Sequence, residues 1–321
     1  MVLRVTKKLA EARFGISFVS ALVAAVLWFV PELTVHRELV ENVDFKVLGM
    51  TLFTIPIAIS RVISFVVWVL LLISMIKISE DLKLIPSRST LPFVFGMTGV
   101  ACVGGLHVFD ERMVAFVLIV HAMRKLCEMY SMQYQVFEGF KMVFFVLLAS
   151  LFRVECLWLF LLFVVGLSVY QVASFKFVLS ALLSFVVITW LLWGVLWLCG
   201  SIDTLFKYFA GVADFKFDVL HWSGLSYAKL GFGISLMILT RLQTDMFSYR
   251  FNTHVKLNNV MMGVAFWFAL VVMLVYGAGL LPFVIFMAIE SLSLYFTTDK
   301  SNISDVIFLI MCVILIVSRM I

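Results

Sequence analysis

The sequence predicts an all-α fold, a polytopic transmembrane helical bundle with about nine to eleven spans. Hydrophobic residues fill 64% of the 321 positions and charged residues only 13%, whereas soluble domains average about 45–50% apolar and about 25% charged. A water-soluble domain of this length could not bury that much apolar surface. The apolar residues also come in continuous runs rather than in alternation. Lipid is therefore the expected solvent, and helices are favoured over strands.

Apolar runs of suitable length define the predicted helices in chain order. A hydrocarbon core about 30 Å thick needs about 20 residues of helix. Eleven runs qualify, or ten or nine if 136–151 or another short run is re-entrant, and they fall at 14–31, 48–76, 91–107, 113–130, 136–151, 156–172, 177–200, 226–241, 258–276, 280–297 and 304–320.

The positions of Lys and Arg orient the predicted bundle. Cations gather at the N-terminal MVLRVTKKLAEARFG and in alternate loops such as HAMRK and RLQTDMFSYRFNTHVK. Cytoplasmic loops carry the excess of Lys and Arg, so we expect a cytoplasmic N-terminus. Residues 1–321 then form a single multi-pass membrane domain with outer loops near 31–46 and 200–229. We expect the first loop to be an amphipathic helix and the second to lie along the membrane surface.

Arg61 lies near the middle of the apolar run VLGMTLFTIPIAISRVISFVVWVLLLISMIK. A cation at the bilayer centre costs about 2.5–3.5 kcal/mol on insertion scales and usually faces a cavity or a partner. One interpretation is an arginine that binds phosphate or carboxylate within a cavity. The other is an arginine that snorkels to the outer surface, which leaves 62–76 as a short span and 47–60, broken by Pro56, as an interfacial or re-entrant piece. The sequence is compatible with both.

Acidic residues are frequent in the predicted outer loops. Asp110 and Glu111 occur in HVFDER, and four further acids occur in the first loop. A carboxylate within reach of a substrate proton can act as a general base, although for any single one of these acids a solvated loop charge is the favoured interpretation. The candidate catalytic residues are Glu32, Glu38, Glu41 and Asp44.

Three further charged residues are singled out by their position. Arg153 and Glu155 in SLFRVEC occupy a tight outer turn, where they either form an ion pair that caps two helix ends or contact a ligand. Arg61 and Arg153 are the candidate phosphate-binding residues. Glu290 in FVIFMAIESLSLYF lies well inside a predicted span, and it is either a proton-relay residue or paired with a neighbouring helix.

No motif in the sequence predicts a cofactor. The five cysteines lie in or beside apolar runs without metal-type spacing, which is typical of small buried hydrophobes. GFG at 231–233 and GAG at 277–279 do not open a nucleotide-binding unit and are interpreted as helix contacts or a tight turn. We therefore predict no cofactor, no metal and no nucleic-acid partner.

The order of these pieces resembles an uncharacterised family of polytopic bacterial inner-membrane proteins, a domain of unknown function. The likeness is carried by LKLIPSRSTLPFVFGM (82–97), by FEGFKMVFFVLLASLFR (137–153) and by the ending MFSYRFNTHVKLNNVMMGVAFWFALVVMLVYGAGLLPFVIFMAIESLSLYF. The resemblance implies a multi-pass location in a bacterial inner (cytoplasmic) membrane and no catalytic motif.

A looser resemblance is to C-type membrane glycosyltransferases and lipid-linked sugar polymerases. It rests on GFKMVFFVLLASLFR, on an acidic first outer loop, and on Arg61 and Arg153 near the same face. It implies an enzyme that acts on a polyprenyl-phosphate-linked sugar at the outer membrane face. The alternatives are a transporter or flippase of an amphipathic or anionic substrate and a non-catalytic membrane assembly subunit. The expected partners are the lipid bilayer, the polyprenyl-phosphate-linked substrate and, for the last alternative, a membrane partner protein.

Overall fold

Helices dominate the part of the chain that the structure describes, and this confirms the predicted all-α class. The structure is a computed structural model, and it describes residues 15–29, 42–81, 89–102, 106–129, 135–171, 175–198, 202–215, 217, 231, 234–235, 237–242, 253–298 and 306. Its longer helices are α1 Gly15–Phe29, α2 Ile57–Asp81, α3 Leu91–Cys102, α4 Glu111–Met129, α5 Gln135–Phe152, α6 Leu159–Tyr170, α7 Phe175–Leu198, α8 Ile202–Ala210, α9 Thr253–Tyr276 and α10 Leu281–Thr298.

Three of these helices are long and apolar enough to cross a membrane. They are α2, α7 and the part of α9 over Val255–Tyr276. Shorter apolar helices occur at Leu91–Ala101, Val154–Tyr170 and Leu281–Thr297. The helices therefore support association with a membrane, while the number of spans and the orientation remain predictions.

A β-hairpin stands where the sequence predicted helix. Strand β1 (Asn42–Val47) pairs antiparallel with β2 (Met50–Pro56), so the predicted helix over 31–46 is wrong for 42–46; the rest of that segment lies outside the described residues. The predicted span at 48–76 likewise becomes helical only at Ile57. The turn residues Leu48 and Gly49 both have positive φ, 53° and 75°, as a two-residue turn between twisted strands requires.

The hairpin marks one end of the helical bundle. The backbone N–H of Leu48 in its turn donates to the carbonyl of Leu151 in α5 over 2.8 Å, and Phe45 of β1 stacks on Phe109 with ring centroids 5.9 Å apart. We call this end the hairpin end; it comprises β1 and β2 with 106–112, 148–158, 202–215 and 275–281. The other end, here the opposite end, comprises 77–81, 121–129, 135–138, 168–171, 175–177, 253–261 and 290–298.

The helices pack closely along one buried apolar core that extends from Trp28 of α1 to Phe296 of α10. Close approach is clearest between α5 and α7. A Cβ added to Gly139 would lie 2.2 Å from Cε2 of Phe177, and Phe177 is itself 1% exposed. In contrast, α7 turns most of its surface outwards, since only 17% of its most apolar 18-residue stretch is buried.

Candidate functional site

Arg153 stands at a sharp corner of the chain at the hairpin end. Helix α5 ends at Phe152, Arg153 is extended (φ −140°, ψ 112°), and a 3-10 turn follows over Val154–Trp158. At this corner the guanidinium Nη2 donates to Oε1 of Glu155 over 2.7 Å, and Nη1 donates to Oε1 of Glu111 over 3.5 Å. The ion pair, one of the two interpretations of SLFRVEC, is thus present, and Glu111 of α4 joins it; contact with a ligand stays a prediction.

The three side chains form a partly buried charge cluster. Their exposed fractions are 27% for Arg153, 9% for Glu155 and 15% for Glu111. Burial disfavours the charged guanidinium, but the carboxylates of Glu155 and Glu111 outweigh it and raise the pKa of Arg153 above its ordinary value. Arg153 is therefore a fixed cation compensated by two acids. Its Nε is buried with no hydrogen-bond partner within the described residues.

Aromatic residues and a glycine surround this cluster. A Cβ at Gly279 would lie 2.7 Å from Nη2 of Arg153, so the missing side chain lets the 3-10 turn Ala278–Leu280 pack against the ion pair. Tyr276 accepts a hydrogen bond from Nε1 of Trp158 over 2.6 Å and donates to the carbonyl of Val212. Tyr208 of α8 donates to the carbonyl of Ser150 over 3.1 Å, and burial, followed by the Glu155 carboxylate, raises the pKa of Tyr208.

A second charged pair begins α4 beside the cluster. Asp110 accepts a hydrogen bond from the backbone N–H of Arg112 over 3.1 Å and also pairs with its guanidinium. The preceding loop is fastened to α2 by serines. Ser60 both donates to the carbonyl of Phe109 (3.1 Å) and accepts from its N–H (2.8 Å), and Ser64 donates to the carbonyl of Leu106 (3.0 Å). Helix α2, which carries Arg61, is thereby fixed to the start of α4, which carries Glu111.

Arg61 lies in the second turn of α2, at the hairpin end. Its carbonyl accepts a hydrogen bond from Nε1 of Trp28 over 3.2 Å. Its side chain is half-buried, and Nε is buried with no hydrogen-bond partner. Within the described part of the chain its guanidinium forms no ion pair. Arg61 is therefore an uncompensated cation among the described residues, unlike Arg153.

The predicted catalytic acids are only partly covered by the structure. Glu32, Glu38 and Glu41 lie outside the described residues. Asp44 is exposed on β1, opposite Thr54 in the strand register, and it forms no ion pair with Arg61 or Arg153. The acid that contacts Arg153 from a distant part of the sequence is Glu111.

Glu290 is at the opposite end of the bundle, away from this cluster. It is 4% exposed on α10, and its Oε2 accepts a hydrogen bond from Oγ of Ser79 over 3.3 Å. Its Oε1 is buried with no hydrogen-bond partner among the described residues. Ser79 and Arg61 are both on α2, about 27 Å apart along its axis at 1.5 Å per residue. Glu290 and Arg61 therefore belong to two separate polar sites, at opposite ends of the bundle.

Comparisons of the chain with protein-family profiles, with curated proteins and with solved structures find no match. Among the described residues, no group of three or more His, Cys, Asp or Glu side chains is placed to hold a metal ion. What the geometry offers is a helical, membrane-associated protein with a polar site at one end of its bundle, made of arginines, carboxylates and aromatic hydroxyl and indole groups.

Proposed function

We propose that the chain is a multi-pass protein of a bacterial inner membrane, with about nine to eleven spans and a cytoplasmic N-terminus. The hairpin end is then at the outer face. The three apolar helices that are long enough to cross a bilayer support this setting. So does the gathering of cations at the opposite end, because Lys and Arg accumulate on the cytoplasmic side: this end carries Lys77, Arg124, Lys125 and Lys176 on α2, α4 and α7.

Within this setting we propose a glycosyltransferase-like enzyme. It would transfer or polymerise a sugar carried on a polyprenyl phosphate at the outer membrane face. The observation that carries the proposal is Arg61, a half-buried guanidinium with an unpartnered Nε in a long apolar helix. A planar guanidinium suits bidentate binding of a phosphate, and a phosphate would supply the compensation that Arg61 lacks among the described residues.

The other predicted residues have distinct roles in this proposal. Arg153 is the second phosphate contact, although two carboxylates already compensate it, so phosphate would have to displace one of them. An acid of the first loop (Glu32, Glu38, Glu41 or Asp44) is the general base. Glu111 and Glu155 are further carboxylates at the same end.

Two substitutions test the enzyme proposal. Arg61→Ala and Glu38→Gln should each abolish a surface glycan in cells that carry the variant as the only copy, without lowering the amount of protein in the membrane. Arg61→Lys keeps the charge without the bidentate fork and should retain part of the activity. Lys77→Ala, an exposed cation on the same helix, is the matched control and should leave the glycan unchanged. An unchanged glycan in both Arg61→Ala and Glu38→Gln would refute the proposal. If instead a partner protein co-purifies in stoichiometric amount and Arg61→Ala has no effect, the result would favour an assembly subunit.

Glu290 supports a second candidate, a transporter or flippase for an amphipathic or anionic solute. Acids inside membrane helices are costly and commonly mark ion or proton pathways, and one oxygen of Glu290 has no partner among the described residues. This candidate predicts pH-coupled uptake or lipid scrambling in proteoliposomes that Glu290→Gln abolishes. Glu138→Gln is the control, because Glu138 is paired with Lys125 and Lys141; equal loss in both variants would count against a specific role of Glu290.

A further inference from the structure

The hairpin and α8 leave large apolar side chains uncovered at the hairpin end. On β2, Leu52 is 61% exposed and Phe53 is 48% exposed, and on α8 Phe206 is 68% exposed. Nearly every residue of β2 is exposed, on both faces of the strand. The protein itself therefore offers little burial to these side chains.

These elements nevertheless form one connected unit. Leu48 of the hairpin turn, Leu151 of α5, Leu196 of α7 and Leu205 of α8 form a small buried cluster of their own. Gly49 faces the ring of Tyr208, since a Cβ there would lie 3.6 Å from its Cδ2. We call β1, β2 and α8, joined in this way, the interface unit.

The interface unit is connected along the chain to two candidate membrane helices that also expose apolar side chains. Helix α2 follows β2 directly and exposes one stripe at helical spacing: Ile59, Val62, Val66, Leu70 and Ile73. Helix α7 precedes α8 and exposes another: Leu179, Leu182, Leu183, Val186, Trp190, Trp193 and Trp197. Both stripes face outwards on helices long enough to span a bilayer, and both helices connect along the chain to the interface unit. In the proposed membrane setting the exposed apolar side chains of the interface unit therefore adjoin lipid.

Water would be a poor environment for the interface unit. A lone two-stranded hairpin is marginally stable in water, and an uncovered apolar edge strand favours aggregation. Charged groups are exposed on the same elements, on β1 at Asp44 and Lys46 and on α8 at Asp203 and Lys207. Apolar and charged groups side by side on short surface elements are typical of structures that lie at the boundary of headgroups and acyl chains.

We infer that the interface unit is embedded in the bilayer leaflet at the hairpin end, with Leu52, Phe53 and Phe206 among the upper acyl chains. The inference rests on the proposed membrane setting and on no particular activity. It has a consequence for Arg61, which lies about 6 Å along α2 from its first residue, Ile57, at 1.5 Å per residue. The interface unit thus holds Arg61 just beneath the headgroup layer, where its side chain reaches the phosphates of lipid or of a lipid-linked substrate.

Depth measurements on the full chain in proteoliposomes test this placement. An environment-sensitive fluorescent amino acid is incorporated singly at position 52, 203, 206 or 182, and quenching by aqueous iodide is compared with quenching by nitroxide-labelled lipids. Labels at 52 and 206 should be quenched several-fold less by iodide than the label at 203, and strongly by nitroxides near the headgroup. The label at 182, on the exposed stripe of α7 and within the candidate span, should respond to nitroxides in the acyl chains and not to iodide.

The other outcomes would overturn the inference in distinguishable ways. Iodide access at 52 and 206 equal to that at 203, with 182 still quenched by lipid, would place the interface unit in water and leave the membrane setting intact. Protection of 52 and 206 from both quenchers would mean that protein covers them. Iodide access at 182 would overturn the membrane setting itself.

Discussion

Removal of Arg153 should destabilise the hairpin end more than any other single change in its charge cluster. At an effective dielectric constant of about 20, the Coulomb attraction is roughly 6 kcal/mol for a pair 2.7 Å apart and roughly 5 kcal/mol for a pair 3.5 Å apart. Desolvation offsets much of this attraction, so the net effect is smaller. Breaking a buried pair by removing one partner costs about 3–5 kcal/mol. Because Arg153 is 27% exposed, we expect Arg153→Met to lower the free energy of unfolding by about 3 kcal/mol, the lower end of this range.

A double-mutant cycle tests whether the ion pair is the cause. Glu155→Leu should cost less than Arg153→Met, because Arg153 keeps its contact with Glu111. The double variant should be more stable than the sum of the singles predicts, with a coupling energy of about 1 kcal/mol or more, because either single substitution already removes the Arg153–Glu155 contact. The assay is unfolding of the purified chain in a mixed detergent titration, monitored by far-UV circular dichroism. Additive effects, or a cost of Arg153→Met below about 0.5 kcal/mol as for an ordinary surface change, would refute the reasoning.

Two further changes probe helix packing by the same assay. Gly139→Ala should destabilise by about 1–3 kcal/mol through overpacking, because the new Cβ would lie 2.2 Å from the buried ring of Phe177; Gly194→Ala, with nothing within 4 Å of its Cβ, is the control and should be neutral or stabilising by up to about 1 kcal/mol. Equal effects at the two glycines would contradict the observed packing. Ser60→Ala should cost about 1–3 kcal/mol, because the N–H and carbonyl of Phe109 both lose their partner, and stability within about 0.5 kcal/mol of wild type would show that this loop is not fastened by Ser60.

Much of the helical framework could be predicted because burial in lipid requires long apolar runs. The runs at 113–130 and 136–151 correspond closely to α4 (Glu111–Met129) and α5 (Gln135–Phe152). The hairpin escaped prediction because hydrophobicity alone does not separate a strand from the start of an apolar helix. The run at 48–76 merges β2 with α2, and only Pro56, which ends the strand, signals the change.

The candidate site was predictable only where its partners are neighbours in the sequence. Arg153 and Glu155 are two positions apart, so their pairing could be expected from one turn. Glu111 is 42 positions away from Arg153, and the contacts of Tyr276 with Trp158 and Val212 span 118 and 64 positions. Such contacts depend on how the helices pack, which residue spacing within a single segment does not encode. The abundance of aromatic residues in the segment 200–229 was the one local signal that aromatic side chains surround the cluster.

The two cations of α2 also imply a preferred membrane thickness. Arg61 and the exposed Lys77 are sixteen positions apart, or about 24 Å along the helix axis, which is less than the hydrocarbon thickness of about 30 Å of an average bilayer. Bilayers adapt to a short span by local thinning, and long cationic side chains extend towards the surface. Short-chain lipids would let both charges reach the headgroups without distortion. Long-chain lipids would draw Arg61 into hydrocarbon, so lipid chain length acts directly on the residue on which the proposed function depends.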